Sequence, residues 1–236
     1  MDAPTRLLIH GAGGRMGQAL LRLCAHREDC RVVAAVSARA PAQRVIDGVP
    51  YFAAAELAGA PDFDVAIDFS LPAGFDAILA ACLARGAGLL SGTTGLSEAQ
   101  HAALNEAGAR IGVVWSANFS LGVALLEELV ERAASALPGW DCDIVEMHHT
   151  RKLDAPSGTA LALGAAVQKA GAQPRYASIR AGDIVGEHTV QFATAGERIE
   201  LVHHAGSRDI FARGALHAAL ALAGRPAGLR RLRDLL

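Results

Sequence analysis

Short apolar runs alternate along the first half of the chain with longer stretches whose apolar residues recur at helical spacing. Residues 6–10 form an apolar run that stops at Gly11, the pattern of a buried strand. Met16, Ala19, Leu20 and Leu23 then carry a helical period to about residue 25, and residues 31–36 read as a second strand. Further strands are expected at 65–69, 88–91 and 111–116, and helices over 74–85 and from Ser97, where Ser97 and Gln100 have capping-box spacing. A helix runs from Ser120 to about 136 and stops at Pro138-Gly139; its expected apolar face is Leu121, Leu125, Leu129 and Ala133. The pattern changes in the second half. A strand at 143–147 and a helix over 160–170 are followed by strand-like runs at 189–193 and 199–203, which suit an antiparallel or mixed sheet, and by a helix over 208–224.

This alternation predicts an α/β protein: a parallel sheet flanked by helices, then a second region with its own sheet. The expected boundaries give one domain at 1–118, with 208–236 returning to it, and another at 119–207. With 236 residues the chain is long enough for such an arrangement without staples. A net charge of −2 and 19% charged residues argue against a dedicated nucleic-acid binder, and 52% hydrophobic residues argue against extended disorder. The four scattered cysteines have no C-x-x-C spacing and suit reduced thiols, no apolar run reaches the roughly 18 residues of a membrane helix, and the first residues lack a signal layout. A cytoplasmic protein with no membrane association is expected.

Candidate chemistry begins at Gly11-Ala12-Gly13-Gly14-Arg15-Met16-Gly17, between the first strand and the first helix. Glycines there allow a tight turn and close backbone approach to a pyrophosphate, and the helix N-terminus favours an anion. The first domain therefore reads as Rossmann-like and dinucleotide-binding. About 20 residues on, an NAD site usually places an acid for the ribose. Here Ser37 and Arg39 stand in that region, which leans towards NADPH while leaving NADH open. Gly92-Thr93-Thr94 and Ala117-Asn118-Phe119 each follow a strand end, where open parallel sheets hold ligands.

The densest polar stretch runs from Glu146 to Thr159 and contains His148, His149, Lys152 and Pro156-Ser157-Gly158-Thr159. Histidine titrates near neutrality, and a lysine can release a proton where arginine cannot. Only two of the 22 basic residues, Lys152 and Lys169, are lysines, which singles out Lys152. A Ser-Gly-Thr start to a helix offers hydroxyl and N–H donors to a carboxylate. Together these fit reduction of an anionic C=N compound by a nicotinamide cofactor. His148, His149, His188, His203 and His204 have no metal-ligand spacing, so no metal is expected.

On these motifs the chain resembles the 4-hydroxy-tetrahydrodipicolinate reductase (dihydrodipicolinate reductase) family. The likeness also rests on Arg180-Ala181-Gly182-Asp183-Ile184-Val185-Gly186-Glu187-His188-Thr189 and on Ser207-Arg208-x-x-Phe211-Ala212-x-Gly214-Ala215. The resemblance implies NAD(P)H-dependent reduction of 4-hydroxy-tetrahydrodipicolinate to tetrahydrodipicolinate with loss of water, in lysine and diaminopimelate biosynthesis. It implies His148 and Lys152 as catalytic residues, and His149, Ser157, Gly158 and Thr159 on the dicarboxylate. It implies cofactor contacts at Gly11–Met16, Gly92-Thr93-Thr94 and Ser116-Ala117-Asn118-Phe119, a mixed-sheet substrate domain, and a homotetramer built through those sheets. Ser37 stands where many members carry an acid, so an NADH preference does not carry over, and Leu71 replaces an arginine found in some members. A related imino- or amino-acid reductase and a nucleotide-sensing protein without turnover are the other readings that these residues leave open.

Overall fold

The apolar run that ends at Gly11 forms β1 (Thr5–His10), and the glycine loop leads into α1 (Arg15–Cys24) and β2 (Cys30–Ser37). Then follow β3 (Val45–Ile46), β4 (Val49–Ala53), β5 (Val65–Asp68), α2 (Pro72–Arg85), β6 (Gly88–Ser91), α3 (Glu98–Ala107) and β7 (Gly112–Trp115). The second half supplies α4 (Leu121–Ala136), β8 (Asp141–His148), α5 (Gly158–Lys169), β9 (Pro174–Arg180), β10 (Gly186–Thr194), β11 (Glu197–Ala205), α6 (Asp209–Leu222) and β12 (Gly228–Arg230). The computed structural model describes residues 3–236.

Two units result: residues up to Phe119 with Phe211–Leu236, and Ser120–Ile210. The chain therefore changes unit between Phe119 and Ser120, and Arg208 falls in the second unit, where its guanidinium lies 3.2 Å from His149 Nε2.

The first unit is an eight-stranded sheet of order β12-β7-β6-β5-β1-β2-β4-β3, parallel except for the β3–β4 hairpin. Its central strands are near-continuous apolar runs because helices cover both faces; Leu7, Leu8, Ile9, Val65, Ala66 and Ile67 are all fully buried. The hairpin was not expected from the apolar pattern. Its turn is Asp47-Gly48, with φ of 49° and 77°, the two positive angles of a type I′ turn. The expected cap of α3 forms as read: Ser97 Oγ accepts from the Gln100 N–H at 3.2 Å, and Gln100 Oε1 accepts from the Ser97 N–H at 3.0 Å.

The second unit is a four-stranded sheet of order β11-β10-β8-β9, antiparallel except for the β8–β9 pair. β8, α5 and β9 thus form a strand–helix–parallel strand unit, which places the start of α5 just past the carboxyl end of β8. Cys142, Ile144, Val190 and Phe192 point to the covered face and pack with Leu126, Val130, Leu163 and Val167 of α4 and α5. The buried side of α4 differs from the expected one. Val123, Leu126, Val130 and Ala134 are buried, whereas Leu125 and Leu129 are exposed. The helix is apolar around most of its circumference, so more than one helical stripe fitted the sequence.

Candidate active site

In the first unit the carboxyl ends of β1, β5 and β6 carry polar residues joined by a single buried carboxylate. Asp68, the last residue of β5, is fully buried. It meets His10 Nδ1 at 2.8 Å, the Ser91 hydroxyl at 2.7 Å, the Thr93 hydroxyl at 2.8 Å and the Ser70 N–H at 3.1 Å. Burial alone pushes this carboxyl up, but the His10 hydrogen bond and charge, with Ser70 and Ser91, hold it below its ordinary value.

The loops above this cluster are tightly fitted. Gly11 has a φ of 82°, and a Cβ there would lie 2.4 Å from the Phe69 carbonyl oxygen. A Cβ on Gly17 would lie 2.4 Å from the Gly11 oxygen, and one on Gly92 would lie 2.1 Å from the Phe69 ring. Gly13, Gly14 and Arg15 are exposed. The N-cap Gly14 offers no capping side chain, and the first turn of α1 holds no acid. That leaves main-chain N–H groups and a positive helix end for a phosphate, which fits the glycine-loop expectation.

Other expected cofactor residues divide by exposure. Thr94, Ala117 and Arg39 are exposed, and Ser37 is half-buried with its hydroxyl donated to the Arg39 carbonyl at 3.1 Å. Ala12, Thr93 and Phe119 are buried, and Phe119 packs edge-on against Phe69 at 5.6 Å. The Ala12 main chain is also occupied, its N–H by the Val36 carbonyl at 2.9 Å and its carbonyl by the Gln18 amide at 2.7 Å. Trp115 Nε1 fixes the Thr93 carbonyl at 3.0 Å, and Ser116 Oγ binds the main chain of Asn118 at 2.6 and 3.2 Å.

In the second unit a buried charged cluster lies at the carboxyl end of β8. Glu146 is fully buried. It accepts two hydrogen bonds from Arg180, at 3.0 and 2.7 Å, and one from the Ser157 N–H at 3.3 Å, and it holds His148 Nδ1 in a short contact. Burial pushes its carboxyl up, and Arg180, Ser178 and His148 outweigh that and bring it to about 2. Sheet register assembles the cluster, with Arg180 opposite His148 across β8–β9 and His188 opposite Glu146 across β8–β10.

His188 is buried, packs edge-on against the His148 ring at 5.2 Å, and lies 3.1 Å through Nε2 from Ser157 Oγ. Burial first, then His148, lowers its pKa to about 4. Ser157 caps α5 by accepting from the Ala160 N–H at 3.2 Å, and Gly158 and Thr159 form the first turn. Lys152 Nζ is 2.8 Å from Asp154 Oδ1. His149, with Nε2 against Arg208, is held below its ordinary pKa by burial and by the positive Arg151 and Arg208. The structure thus brings His148, His149, Lys152, Ser157, Gly158 and Thr159 into one neighbourhood of the second unit.

Family models described as Dihydrodipicolinate reductase, N-terminus, and Dihydrodipicolinate reductase, C-terminus, match residues 5–119 and 122–236. The chain belongs to the dihydrodipicolinate reductase family. It is 72% identical to the 4-hydroxy-tetrahydrodipicolinate reductase of Stenotrophomonas maltophilia strain R551-3, over 100% of this chain and 99% of that one. It is 69% identical to that of Xanthomonas euvesicatoria pv. vesicatoria strain 85-10, over 98% and 97%. In fold it matches a dipicolinate-bound dihydrodipicolinate reductase from Paenisporosarcina sp. TG-14, with a TM-score of 0.83 and 23% identity over 99% of this chain and 100% of that one. As a dihydrodipicolinate reductase it is an NAD(P)H-dependent oxidoreductase acting on 4-hydroxy-tetrahydrodipicolinate in lysine biosynthesis.

Three residues of this reductase's second unit went unassigned in the sequence reading: Glu146, Arg180 and His188. Each lay in a quoted motif, but none could be given a role without the sheet register. Gly186 is another. A Cβ there would lie 3.0 Å from His148 Nε2, a tight contact that would press on that ring.

Proposed function

We propose that His148 and Lys152 handle the proton added to substrate during reduction, and that Ser157, Gly158, Thr159 and His149 bind its carboxylates. The observation that carries this reading is the buried Glu146–His148 pair beside the N-terminus of α5. Glu146 accepts the Nδ1 proton of His148 and so fixes the tautomer, which leaves Nε2 as the nitrogen facing Gly186. The Nε2 side of the ring is then the side that can exchange a proton with substrate. Asp154 holds the Lys152 ammonium within the same loop, ready to donate. Ser157 and the first turn of α5 supply neutral donors aligned with the positive helix end. The nicotinamide, held by the glycine loop and the 92–94 and 116–119 segments, supplies hydride when bound.

Two finer points belong to the same proposal. No acid follows β2 at Ser37–Arg39, so a 2′-phosphate meets no repulsion and finds an exposed Arg39; the enzyme accepts NADPH at least as well as NADH. The uncovered face of the second sheet carries an apolar patch of Val145, Met147, Ala177, Ile179 and Val202 around Thr189, flanked by Asp143, Arg175, Glu187 and Gln191, and this patch supports assembly into a homotetramer. Among the described residues no helix is long and apolar enough to cross a membrane.

The test is turnover with substrate generated in situ from pyruvate and aspartate semialdehyde by its synthase. Lys152→Met is expected to lose about 10²–10⁴ in rate while NADPH binding survives. Wild-type turnover in that variant would remove Lys152 from the mechanism.

A further inference from the structure

Ser157 is held by two elements at once, and the second of them decides what its hydroxyl can do. Its Oγ accepts the Ala160 N–H at 3.2 Å and lies 3.1 Å from His188 Nε2. Its own N–H is taken by Glu146. A hydroxyl has one proton and two lone pairs. If the His188 proton were on Nδ1, Ser157 would have to donate to Nε2 and would have no proton left for a ligand. His188 Nδ1, however, is buried with no hydrogen-bond partner. A proton there would be an orphaned buried donor, the rarer and costlier kind of unsatisfied group. The proton therefore sits on Nε2 and points at Ser157. Burial supports this by keeping the ring neutral at ordinary pH.

We infer that His188 is a positioning residue: its Nε2–H, with the Ala160 N–H, fills both lone pairs of Ser157 and commits the serine proton to the substrate carboxylate. His188 does this without touching substrate. It also packs against His148, so one buried ring braces both the proton-handling histidine and the carboxylate-binding serine. The inference rests on the proposed role of Ser157 as a carboxylate ligand.

The experiment measures pyridine-2,6-dicarboxylate affinity and steady-state constants for His188→Met, His188→Gln, Ser157→Ala and the Ser157→Ala/His188→Met double variant. His188→Met is expected to weaken dicarboxylate binding and raise substrate KM roughly 10- to 100-fold, a larger factor than the accompanying fall in kcat. His188→Gln, which can present an N–H in the same place, restores most of that loss. In the double variant the loss matches Ser157→Ala alone, because the histidine acts through the serine. Ring ¹⁵N shifts of wild type report the Nε2–H tautomer independently of any variant's folding. Multiplying losses in the double variant, unchanged affinity in a folded His188→Met, or an Nδ1–H tautomer would each overturn the inference. If Ser157→Ala alone leaves the affinity unchanged, the carboxylate role of Ser157 is what fails, and the inference falls with it.

Discussion

Both units bury a carboxylate at the end of a strand, and both place a histidine Nδ1 against it, yet the two pairs differ in company. Asp68 is surrounded by an imidazole, two hydroxyls and a main-chain N–H, drawn from the ends of three neighbouring strands. Its bonds tie the loops after β5 and β6 to β1, and none of its side-chain partners is a permanent cation. Glu146 is gripped by the guanidinium of Arg180 on one side and by His148 on the other. The Arg180 guanidinium holds it ionised, so the acceptor that orients His148 through Nδ1 is itself fixed. The same dyad thus ties strand ends together in one place and orients the imidazole we propose as the proton handler in the other, and the third partner makes the difference.

The largest effect should come from Glu146→Ala, which strands the half-buried Arg180 beside a histidine. A rate loss of about 10²-fold or more is expected, with a loss of about 3 kcal/mol in unfolding free energy, since the guanidinium keeps some access to water. If denaturant unfolding and turnover were both near wild type, the distinction would collapse.

Acid should separate the units next. His188 has a pKa of about 4 when folded against 6.5 when unfolded, so the unfolded chain binds more protons between those values. Stability is lost as pH falls from 6.5 through 4, by about 3 kcal/mol in all. Glu146, depressed from 4.5 to about 2, adds its own loss only below about 4.5. Thermal unfolding followed against pH should show the first loss flattened in His188→Gln.

The smallest effect is expected for Asp68→Asn, where neutral hydroxyls can rearrange around the amide. A cost of about 1–3 kcal/mol is expected, with weaker NADPH binding and kcat retained at saturating cofactor. A kcat collapse in this variant, with the fold intact, would put Asp68 in the chemistry and not beneath it.

The candidate cluster of the second unit was legible because His148, Lys152 and Ser157 lie within ten residues of one another, around one strand-to-helix turn. Arg180 and His188 were not, because they arrive through register: an edge strand beside β8 and an antiparallel strand on its other side. β9 itself escaped notice because its residues are mostly exposed, and Pro-Arg-Tyr-Ala-Ser-Ile-Arg has little of the alternation that marks a half-buried strand. The Asp47-Gly48 turn was readable in principle, since that dipeptide is a strong hairpin signal, but β3 beside it is only two residues long. The face of α4 was beyond the sequence: when most sides of a helix are apolar, tertiary packing alone selects the buried one.

The second unit is inserted into the first, and this sets an order of assembly during synthesis. Every residue of Ser120–Ile210 has been translated before most of α6 and all of β12 exist. The eight-stranded sheet cannot gain its edge strand, β12 on β7, until that later stretch is made. The first unit begins the chain but is complete only after the second has been made, so N-to-C order of synthesis does not by itself make it the first domain finished. The inserted region can mature on the ribosome while the nucleotide-binding sheet that began the chain still waits for its last strand.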